Sequence, residues 1–199
     1  MILLCCAVEA ELAFWRPHDG VDVLVTGVGP VEAASAVAAA LASGEYRLVV
    51  NAGIAGAFDG AATIGDGVVV SEECMELRLE SGEAFSLPRG ERTVETARSD
   101  EALVARLRSA GFAALRGVTV SRVTSSEATA QRLAQLGAQV ESMEGFAALR
   151  AAQRAGTAAV EVRGISNRCG ARESSGWDFA AGIAGLQNVT AALLEICTL

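Results

Sequence analysis

Carboxylates and an amide stand where three strand-like segments of the sequence end. Glu144 lies between the segment Ala138 to Glu141 and an Ala-rich helical run, and Asn167 ends a later segment of the same kind. Glu11 closely follows the apolar segment Ile2 to Val8. Because ligands bind at the carboxyl ends of the strands in open α/β folds, we expect these three side chains to meet at one sheet edge.

These residue types have the chemistry that hydrolysis of an N-glycosidic bond requires. One carboxylate activates a water molecule, a second group holds the sugar, and a polar group receives the leaving base. Such reactions pass through oxocarbenium-like states, and general-base catalysis accelerates them by roughly 10²–10⁴-fold. A second interpretation stays open, because an acidic residue in a first helical turn also satisfies free N–H groups and the helix dipole. Spacing alone favours that capping role for Glu9, Glu11 and Glu144.

Alternating strands and helices must position the three candidates. The predicted strands are Ile2 to Val8, Val21 to Val28, Leu48 to Asn51, Val68 to Ser71, Val118 to Val123, Ala138 to Glu141 and Val160 to Asn167. The predicted helices are Val31 to Ala42, Asp100 to Ala110, a helix to Leu136 opened by a capping box at Thr124 to Glu127, Gly145 to Ala155, and Asp178 to Cys197. This alternation indicates one α/β domain over residues 1–199 with a largely parallel sheet.

Three further segments are predicted to be irregular. Gly27-Val28-Gly29 forms a tight turn before Pro30, which suits the first turn of a helix. Ala52 to Ala57 is a Gly/Ala-rich loop in which the backbone can approach a ligand. Glu72 to Ser99 is polar and interrupted by Gly and Pro, and we interpret it as an irregular connection or a lid.

Composition excludes several classes of function. The chain has 199 residues, is 51% apolar and carries a net charge of −8, so a nucleic acid or an anionic membrane is not expected as a partner. It has five cysteines and one histidine without a C-x-x-C pair, which predicts no metal site and reduced thiols in the cytoplasm. No apolar run reaches the length of about 18 residues that a membrane span needs.

Six motifs along the chain resemble the nucleoside phosphorylase/nucleosidase superfamily and, within it, the futalosine hydrolase branch. They are Ala7-Val8-Glu9-Ala10-Glu11, Thr26-Gly27-Val28-Gly29-Pro30, Asn51-Ala52-Gly53-Ile54-Ala55-Gly56-Ala57-Phe58, Gly65-Asp66, Glu141-Ser142-Met143-Glu144-Gly145 and Arg163-Gly164-Ile165-Ser166-Asn167. The resemblance implies a three-layer α/β/α sandwich around a mixed, partly barrel-like central sheet. It also implies a purine nucleoside as substrate, no cofactor, and a homodimer or higher homo-oligomer whose interface borders the site.

The resemblance also implies roles for individual residues. Glu11 stands where the family activates the attacking water. Met143 and Glu144 stand where it contacts ribose, with Glu144 gripping the 2′- and 3′-hydroxyls. The other residues expected to bind substrate are Ile54, Ala55, Gly56 and Arg172.

Asn167 stands where the methylthioadenosine nucleosidases of the superfamily carry an aspartate that protonates adenine. An amide instead donates one hydrogen bond and accepts another. Hypoxanthine can leave with its developing charge spread onto the 6-oxygen, so Asn167 favours a 6-oxopurine such as that of futalosine. The resemblance therefore implies that futalosine is hydrolysed to hypoxanthine and dehypoxanthine futalosine, in menaquinone biosynthesis.

Some positions depart from the family pattern or lack an assigned partner. Ile54 replaces a serine that helps to hold the water in many nucleosidases. Phe85 and Phe58 are the hypotheses for an aromatic residue that stacks on the purine. Arg168 and Arg172 could pair with the carboxylate of the futalosine tail, or they could be exposed loop arginines.

Three other functions remain open on the sequence. The same fold serves methylthioadenosine/S-adenosylhomocysteine nucleosidases and purine phosphorylases. Asn167 in place of an aspartate opposes the first, and acidic residues at Ala7 to Glu11, where a phosphate site would need cations, oppose the second. A nucleoside-binding protein without turnover is the third candidate, and the presence of Glu11, Glu144 and Asn167 together opposes it.

Overall fold

A mixed β-sheet runs through the centre of the structure, and helices cover both of its faces. The computed structural model describes residues 1–79, 81–83, 87–91, 93–171 and 176–198. The strands in these ranges are β1 (Ile2–Cys6), β2 (Val21–Val25), β3 (Leu48–Ala57), β4 (Gly67–Met75), β5 (Thr96–Arg98), β6 (Ala113–Thr119), β7 (Val140–Ser142) and β8 (Ala158–Arg168). The helices are α1 (Pro30–Ser43), α2 (Glu101–Ser109), α3 (Glu127–Gln135), α4 (Gly145–Ala155) and α5 (Phe179–Thr198), with short 3-10 helices at Glu9–Leu12 and Pro88–Gly90.

Strands β3, β8, β4, β6 and β7 close into a ring. β3 pairs in parallel with β8, β8 pairs antiparallel with β4, and β4 and β7 both pair in parallel with β6. The ring closes where β7 returns antiparallel to Gly56 and Ala57 of β3. Outside the ring, β1 and β2 extend the sheet in parallel from β3, and β5 pairs antiparallel with β4. The sheet is therefore mixed and partly barrel-like, in agreement with the fold that the resemblance implies.

Successive residues of β1 point to opposite faces of the sheet, as the strand period of two requires. Ile2, Leu4 and Cys6 are buried in one apolar cluster with residues of α2 and α5. Leu3 and Cys5 are buried in another cluster with residues of α1 and α4. The helices that contribute to these two clusters form the outer layers of the expected α/β/α sandwich.

Helix α5 has the length of the predicted helix Asp178 to Cys197 and is displaced from it by one residue. By length and composition alone, Phe179–Cys197 could cross a membrane, although Gln187, Asn188 and Glu195 interrupt its apolar residues. Leu186, Val189 and Leu193 of this helix are fully buried in the cluster that packs on the sheet. One face of the helix therefore packs on the sheet.

The predicted loop Ala52 to Ala57 is part of strand β3 instead. Its small residues reflect crowding around the strand and not a turn. A Cβ on Gly56 would lie 2.7 Å from the sulfur of Cys169 and 2.9 Å from Nδ2 of Asn167. Glycine at this position therefore allows β3 to continue beside the side chains that follow from β8.

Other boundaries also differ from the predictions. Strand β6 spans Ala113–Thr119 where Val118 to Val123 was predicted, and β2 ends at Val25 instead of Val28. Helix α3 begins two residues later than the predicted capping box, because Ser126 is its N-cap and accepts a hydrogen bond from the amide of Thr129 at 3.3 Å. The predicted irregular segment Glu72 to Ser99 contains the end of β4 and the whole of β5. Phe85 and part of that segment lie outside the described residues, so its role as a lid stays a prediction.

Candidate active site

A cavity of about 280 Å³ lies at the carboxyl ends of β1, β3, β7 and β8. The structure brings most of the predicted site residues to its walls. These are Glu11, Ile54, Ala55, Gly56, Met143, Glu144 and Asn167. Arg172 lies outside the described residues. Strands that are distant in sequence thus meet at one sheet edge, as expected of an open α/β fold.

Glu11 is held by backbone amides at both of its carboxylate oxygens. Oε2 accepts hydrogen bonds from the amides of Ala7 at 2.9 Å and Val8 at 3.2 Å, and Oε1 accepts one from Ile54 at 2.9 Å. The bonds to Oε2 cap the 3-10 turn, as the capping interpretation predicts, whereas the bond to Oε1 reaches across to β3. An ionised carboxylate has about four acceptor sites, so Glu11 keeps capacity to accept a hydrogen bond from water.

Glu9 and Glu11 were equivalent on spacing alone, and the structure separates them. Glu9 is exposed, whereas Glu11 is buried and lines the cavity. Glu11 is therefore the candidate for a water-activating base.

Glu144 does not cap the helix that it precedes. It occupies the N-cap position of α4 without a side-chain bond to that helix. Its Oε1 instead accepts a hydrogen bond from the amide of Gly29 at 2.8 Å. Gly29 adopts a φ of 99°, a conformation that favours glycine, at the start of α1. Oε2 remains available to a ligand at the cavity wall.

Other side chains serve the first amides of α4. The amide of Gly145 donates to Oγ of Ser142 at 3.1 Å, and the amide of Phe146 donates to Oγ1 of Thr119 at 2.7 Å. Since helix N-termini need such acceptors, these two hydroxyls leave the Glu144 carboxylate free for a different role.

Asn167 is buried at the end of β8 and lines the cavity. Its Oδ1 accepts a hydrogen bond from Oγ of Ser166 at 2.9 Å, and its Nδ2 donates to the carbonyl of Arg168 at 3.2 Å. Each polar atom of the amide has further capacity, since Nδ2 carries two hydrogens and Oδ1 has two lone pairs. The side chain can therefore both donate to a ligand and accept from one.

Glu141, the other acidic residue of its motif, is occupied by a neighbouring loop. Its Oε1 accepts a hydrogen bond from the amide of Thr124 at 2.9 Å, and its Oε2 accepts one from the Thr124 hydroxyl. Burial raises the pKa of this carboxyl and the Thr124 bonds oppose the rise. Glu141 thus anchors the loop between β6 and α3 to the cavity.

Aromatic side chains line the cavity at positions that the sequence analysis missed. Trp177 and Phe179 stand at the cavity wall with ring centroids 5.2 Å apart. Phe58, one of the two hypotheses, is buried in a cluster with Val118 and Leu133, away from the cavity lining. Trp177 lies two residues before Phe179, which is the first residue of α5. An aromatic pair at the start of a predicted helix was therefore the signal available in the sequence.

Arg168 is engaged on the surface. Its guanidinium pairs with Asp59 at 3.0 Å and with Glu127 at 3.5 Å, and it does not line the cavity. The alternative of an exposed loop arginine therefore describes Arg168 better than the pairing with a substrate carboxylate.

Behind the cavity wall lies a charged group to which the sequence analysis assigned no role. Arg163 is 1% exposed, and its Nε donates to Oε1 of Glu161 at 2.7 Å. A Cβ on Gly53 would clash with Nη1 of Arg163 and lie 2.7 Å from Oε1 of Glu11, so the guanidinium stands next to the Glu11 carboxylate. Charged residues at i and i+2 in an otherwise apolar strand were the sequence signal, because they share a face.

Metal chemistry has no candidate ligand set in the part of the chain that the structure describes, where no three His, Cys, Asp or Glu side chains group around a common point. The cavity lining instead offers the carboxylates of Glu11, Glu141 and Glu144 and the amide of Asn167, with the Arg163 guanidinium behind it. That set can activate water, bind a diol and hydrogen-bond a heterocycle.

Comparisons with known proteins show the family of this chain. Residues 18–198 match the family described as the phosphorylase superfamily. A futalosine hydrolase of Acidothermus cellulolyticus is 39% identical over 184 residues, covering 86% of this chain and 74% of that protein. Futalosine hydrolases of Streptomyces coelicolor and Thermus thermophilus are 34% and 33% identical, covering 91% and 90% of this chain and 81% and 84% of those proteins.

Solved structures share the fold over nearly the whole chain. An S-adenosylhomocysteine nucleosidase from Streptococcus pyogenes, in complex with 5-methylthiotubericidin, has a TM-score of 0.82 at 20% identity, covering 98% of this chain and 96% of that chain. The futalosine hydrolase of Helicobacter pylori has a TM-score of 0.81 at 15% identity, covering 98% and 97%. The chain belongs to the phosphorylase superfamily and, within it, to the futalosine hydrolase family.

Proposed function

We propose that the chain hydrolyses the N-glycosidic bond of futalosine, releasing hypoxanthine and dehypoxanthine futalosine, in menaquinone biosynthesis. The observation that carries the proposal is the meeting of Glu11, Glu144 and Asn167 around one cavity, in a chain up to 39% identical to futalosine hydrolases. The three groups supply the base, the sugar contact and the leaving-group contact that the reaction requires.

Glu11 is the general base of this mechanism. Water attacks the anomeric carbon as its proton passes to the Glu11 carboxylate, while the bond from that carbon to the purine nitrogen breaks. The backbone amides of Ala7, Val8 and Ile54 fix the carboxylate, so little reorganisation is needed at the moment of attack. The Ile54 amide supplies a contact at the position where many nucleosidases have a serine side chain.

Glu144 binds the ribose. Its Oε1 is held by the amide of Gly29, and Oε2 accepts hydrogen bonds from the sugar hydroxyls. Met143 lies next to it on the cavity wall and packs against the sugar. A fixed carboxylate beside the ribose also stabilises the positive charge that develops on the ring in an oxocarbenium-like state.

Asn167 receives the leaving base. Hypoxanthine departs with negative charge spread onto its 6-oxygen, and the Asn167 amide donates one hydrogen bond to the base and accepts another from it. Adenine presents an amino group where hypoxanthine presents an oxygen, so it leaves a buried polar group unpaired, at a cost of about 1–3 kcal/mol.

The apolar wall of the cavity suits the aromatic parts of futalosine. Trp177, Phe179 and Ile183 line it together with Val28 and Val123. Aromatic side chains offer stacking surfaces to planar rings, and futalosine has two such rings, the purine and the carboxyphenyl tail. We assign one or both of Trp177 and Phe179 to these rings.

We further infer a single-domain homo-oligomer that works in the cytoplasm. Val8, Val28, Trp177 and Phe179 line the cavity and are between 37% and 55% exposed in the single chain. Exposed apolar surface of this kind marks contact sites, and a second copy bordering the cavity would cover it. All five cysteines fall in the described ranges and are free thiols, as expected of a reducing compartment.

The decisive experiment follows free base by chromatography. The protein is incubated separately with futalosine, methylthioadenosine and inosine, each with and without phosphate. Hypoxanthine from futalosine, independent of phosphate, is expected. Adenine from methylthioadenosine would replace the proposal with a salvage nucleosidase, phosphate-dependent release would indicate a phosphorylase, and no release would indicate a binding protein.

A further inference from the structure

Two glutamates that the proposed mechanism does not use lie together inside the strand ring. Glu73 of β4 and Glu161 of β8 are fully buried, and Oε2 of Glu161 has no other hydrogen-bond partner among the described residues. Gly145, the first residue of α4, leaves them room. A Cβ there would lie 2.5 Å from Oε1 of Glu73 and 2.6 Å from each carboxylate oxygen of Glu161. The two carboxyl groups therefore share one small, dry compartment under the helix.

The surroundings of the two carboxyl groups favour ionisation of only one of them. Like charges in a buried site disfavour each other, so such a pair tends to hold a proton between its members. Burial raises the pKa of Glu161 too, but Arg163 opposes that rise by donating from Nε at 2.7 Å, which favours Glu161 as the ionised member. Burial and then the charge of Glu161 raise the pKa of Glu73 well above its usual range.

Thr119 and Ser142 fix the orientation of Glu73. Both hydroxyls accept hydrogen bonds from the first amides of α4, so their own protons point elsewhere. Thr119 donates to Oε2 of Glu73 at 2.8 Å, and Ser142 is 3.5 Å from Oε1. The proton on Glu73 is therefore left facing Glu161.

Arg163 connects this pair with the active site. Its Nη1 is 3.5 Å from the carbonyl of Ile54, and its Nη2 has no partner among the described residues. Burial opposes the charge on Arg163, but the carboxylates of Glu161, Glu144 and Glu11 outweigh it and raise the pKa of the guanidinium. The same cation thus acts on the buried pair and on both carboxylates of the cavity.

We propose that Glu73 and Glu161 share a single proton and act as positioning residues, holding Arg163 behind Glu11 and Glu144. This rests on the proposed function, in which Glu11 is the base. With one negative charge on the pair, Arg163 is balanced by Glu161. If the pair lost that charge, the guanidinium would act on Glu144 and Glu11 only, and it would make Glu11 a weaker base. The charged groups facing the pair are Arg163 from β8 and Glu144 from the turn before α4.

The test compares Glu161→Gln, Glu73→Gln and Glu73→Leu by kcat, KM and the pH profile of kcat/KM for futalosine. Glu161→Gln should lower kcat by about 10- to 100-fold, since misplacing a catalytic group can cost about 100-fold. The acid limb of the kcat/KM profile reports the base in the free enzyme. In Glu161→Gln this limb should move to lower pH. Glu73→Leu should lose kcat, and Glu73→Gln should rescue it with the acid limb unmoved, because an amide imitates the protonated acid.

Glu72→Gln is the matched control. Glu72 precedes Glu73 on β4, but it pairs with Arg98 and Arg116 near the surface, so its variant should keep the wild-type kcat and profile. The proposal is overturned if Glu161→Gln is tolerated and Glu73→Gln is not, or if all substitutions of the pair lower kcat equally without moving the acid limb. The second result would mean a purely structural role.

A spectroscopic measurement keeps this proposal separate from the proposed function. The infrared carbonyl band of a protonated carboxyl group should be present in the wild-type protein at pH 7 and absent from Glu73→Gln, without any substrate. A wild-type protein without that band would contradict the shared proton even if futalosine is cleaved. If the band is present and futalosine is not cleaved, the proposed function fails and the buried proton stands.

Discussion

The carboxylate of Glu144 accepts a hydrogen bond from the amide of Gly29 at 2.8 Å, across 115 positions of the chain. Glu144 stands at the N-cap of α4 but leaves the capping of that helix to Ser142 and Thr119. The start of α1 and the start of α4 are thereby joined by one carboxylate at the cavity wall.

Glu144→Gln should raise KM for futalosine by about 10-fold or more and lower kcat as well. The amide oxygen can still accept from Gly29, but its NH₂ group replaces an acceptor with a donor at the ribose, where hydrogen bonds to a charged group contribute about 1.5–3 kcal/mol. Steady-state kinetics on futalosine measure both constants. Unchanged constants would remove Glu144 from the ribose site.

Glu11→Gln should preserve futalosine binding and reduce kcat by roughly 10²–10⁴-fold, the usual contribution of a general base. Binding by calorimetry and turnover by hypoxanthine release separate the two effects. Glu9→Gln, in the same 3-10 turn but exposed, is the control and should behave as wild type. Near-normal turnover of Glu11→Gln would exclude Glu11 as the base.

Asn167→Asp should shift the base preference toward adenine nucleosides, because a carboxyl group can protonate adenine as it leaves. The ratio of kcat/KM for methylthioadenosine over futalosine should rise relative to wild type. The two rates are measured with the same preparation, which cancels differences in the folded fraction. A constant ratio would contradict the leaving-group role of Asn167.

Gly53→Ala should lose most activity and about 1–3 kcal/mol of stability, the usual cost of overpacking. The added Cβ would press on the Arg163 guanidinium and lie 2.7 Å from Oε1 of Glu11. Gly60→Ala is the comparison, since Gly60 has a φ of 75° and open space around it. That variant should lose about 1–2 kcal/mol through backbone strain and keep its kcat. Full kcat in Gly53→Ala would contradict the close approach.

Glu73→Gln should gain stability relative to wild type as pH rises. The raised pKa of Glu73 means that the folded protein binds its proton more tightly than the unfolded chain does, whose glutamates titrate near about 4.3. The stabilisation that the Glu73 proton gives the wild-type protein is therefore complete below about pH 4.3. It is lost as the pH rises through the pKa that Glu73 has in the folded protein. Chemical denaturation of both proteins across this range measures the difference, and a pH-independent difference would be the contrary result.

The sequence predicted the parts of this molecule that rest on local signals. Apolar runs and helix starts located most elements, and residues at strand ends predicted which side chains meet. Glu11, Glu144 and Asn167 lie around one cavity because the strands that precede them end at the same edge of the sheet. The motifs then supplied the family, which composition and periodicity could not.

Other parts were not predictable because they depend on contacts distant in sequence. The run Ala52 to Ala57 is rich in small residues, which local rules assign to a loop, yet it is a strand whose neighbours occupy the side-chain space. Arg163 and Glu161 looked like ordinary strand residues because only the closed ring buries them. Trp177 and Phe179 belong to the cavity through the packing of α5, which their position at a predicted helix start does not specify by itself.

The strands of the ring pair over different lengths, and these lengths determine where local opening begins. β3 pairs with β8 along its whole length, whereas only Gly56 and Ala57 connect it to β7. Amide hydrogens on β7 should therefore exchange with solvent before those of β3 and β8, since local opening follows the weakest pairing. Glu144 lies two residues after the end of β7. The strand pairing that opens first is therefore next to the proposed sugar-binding carboxylate. A bound nucleoside should slow amide exchange most on β7.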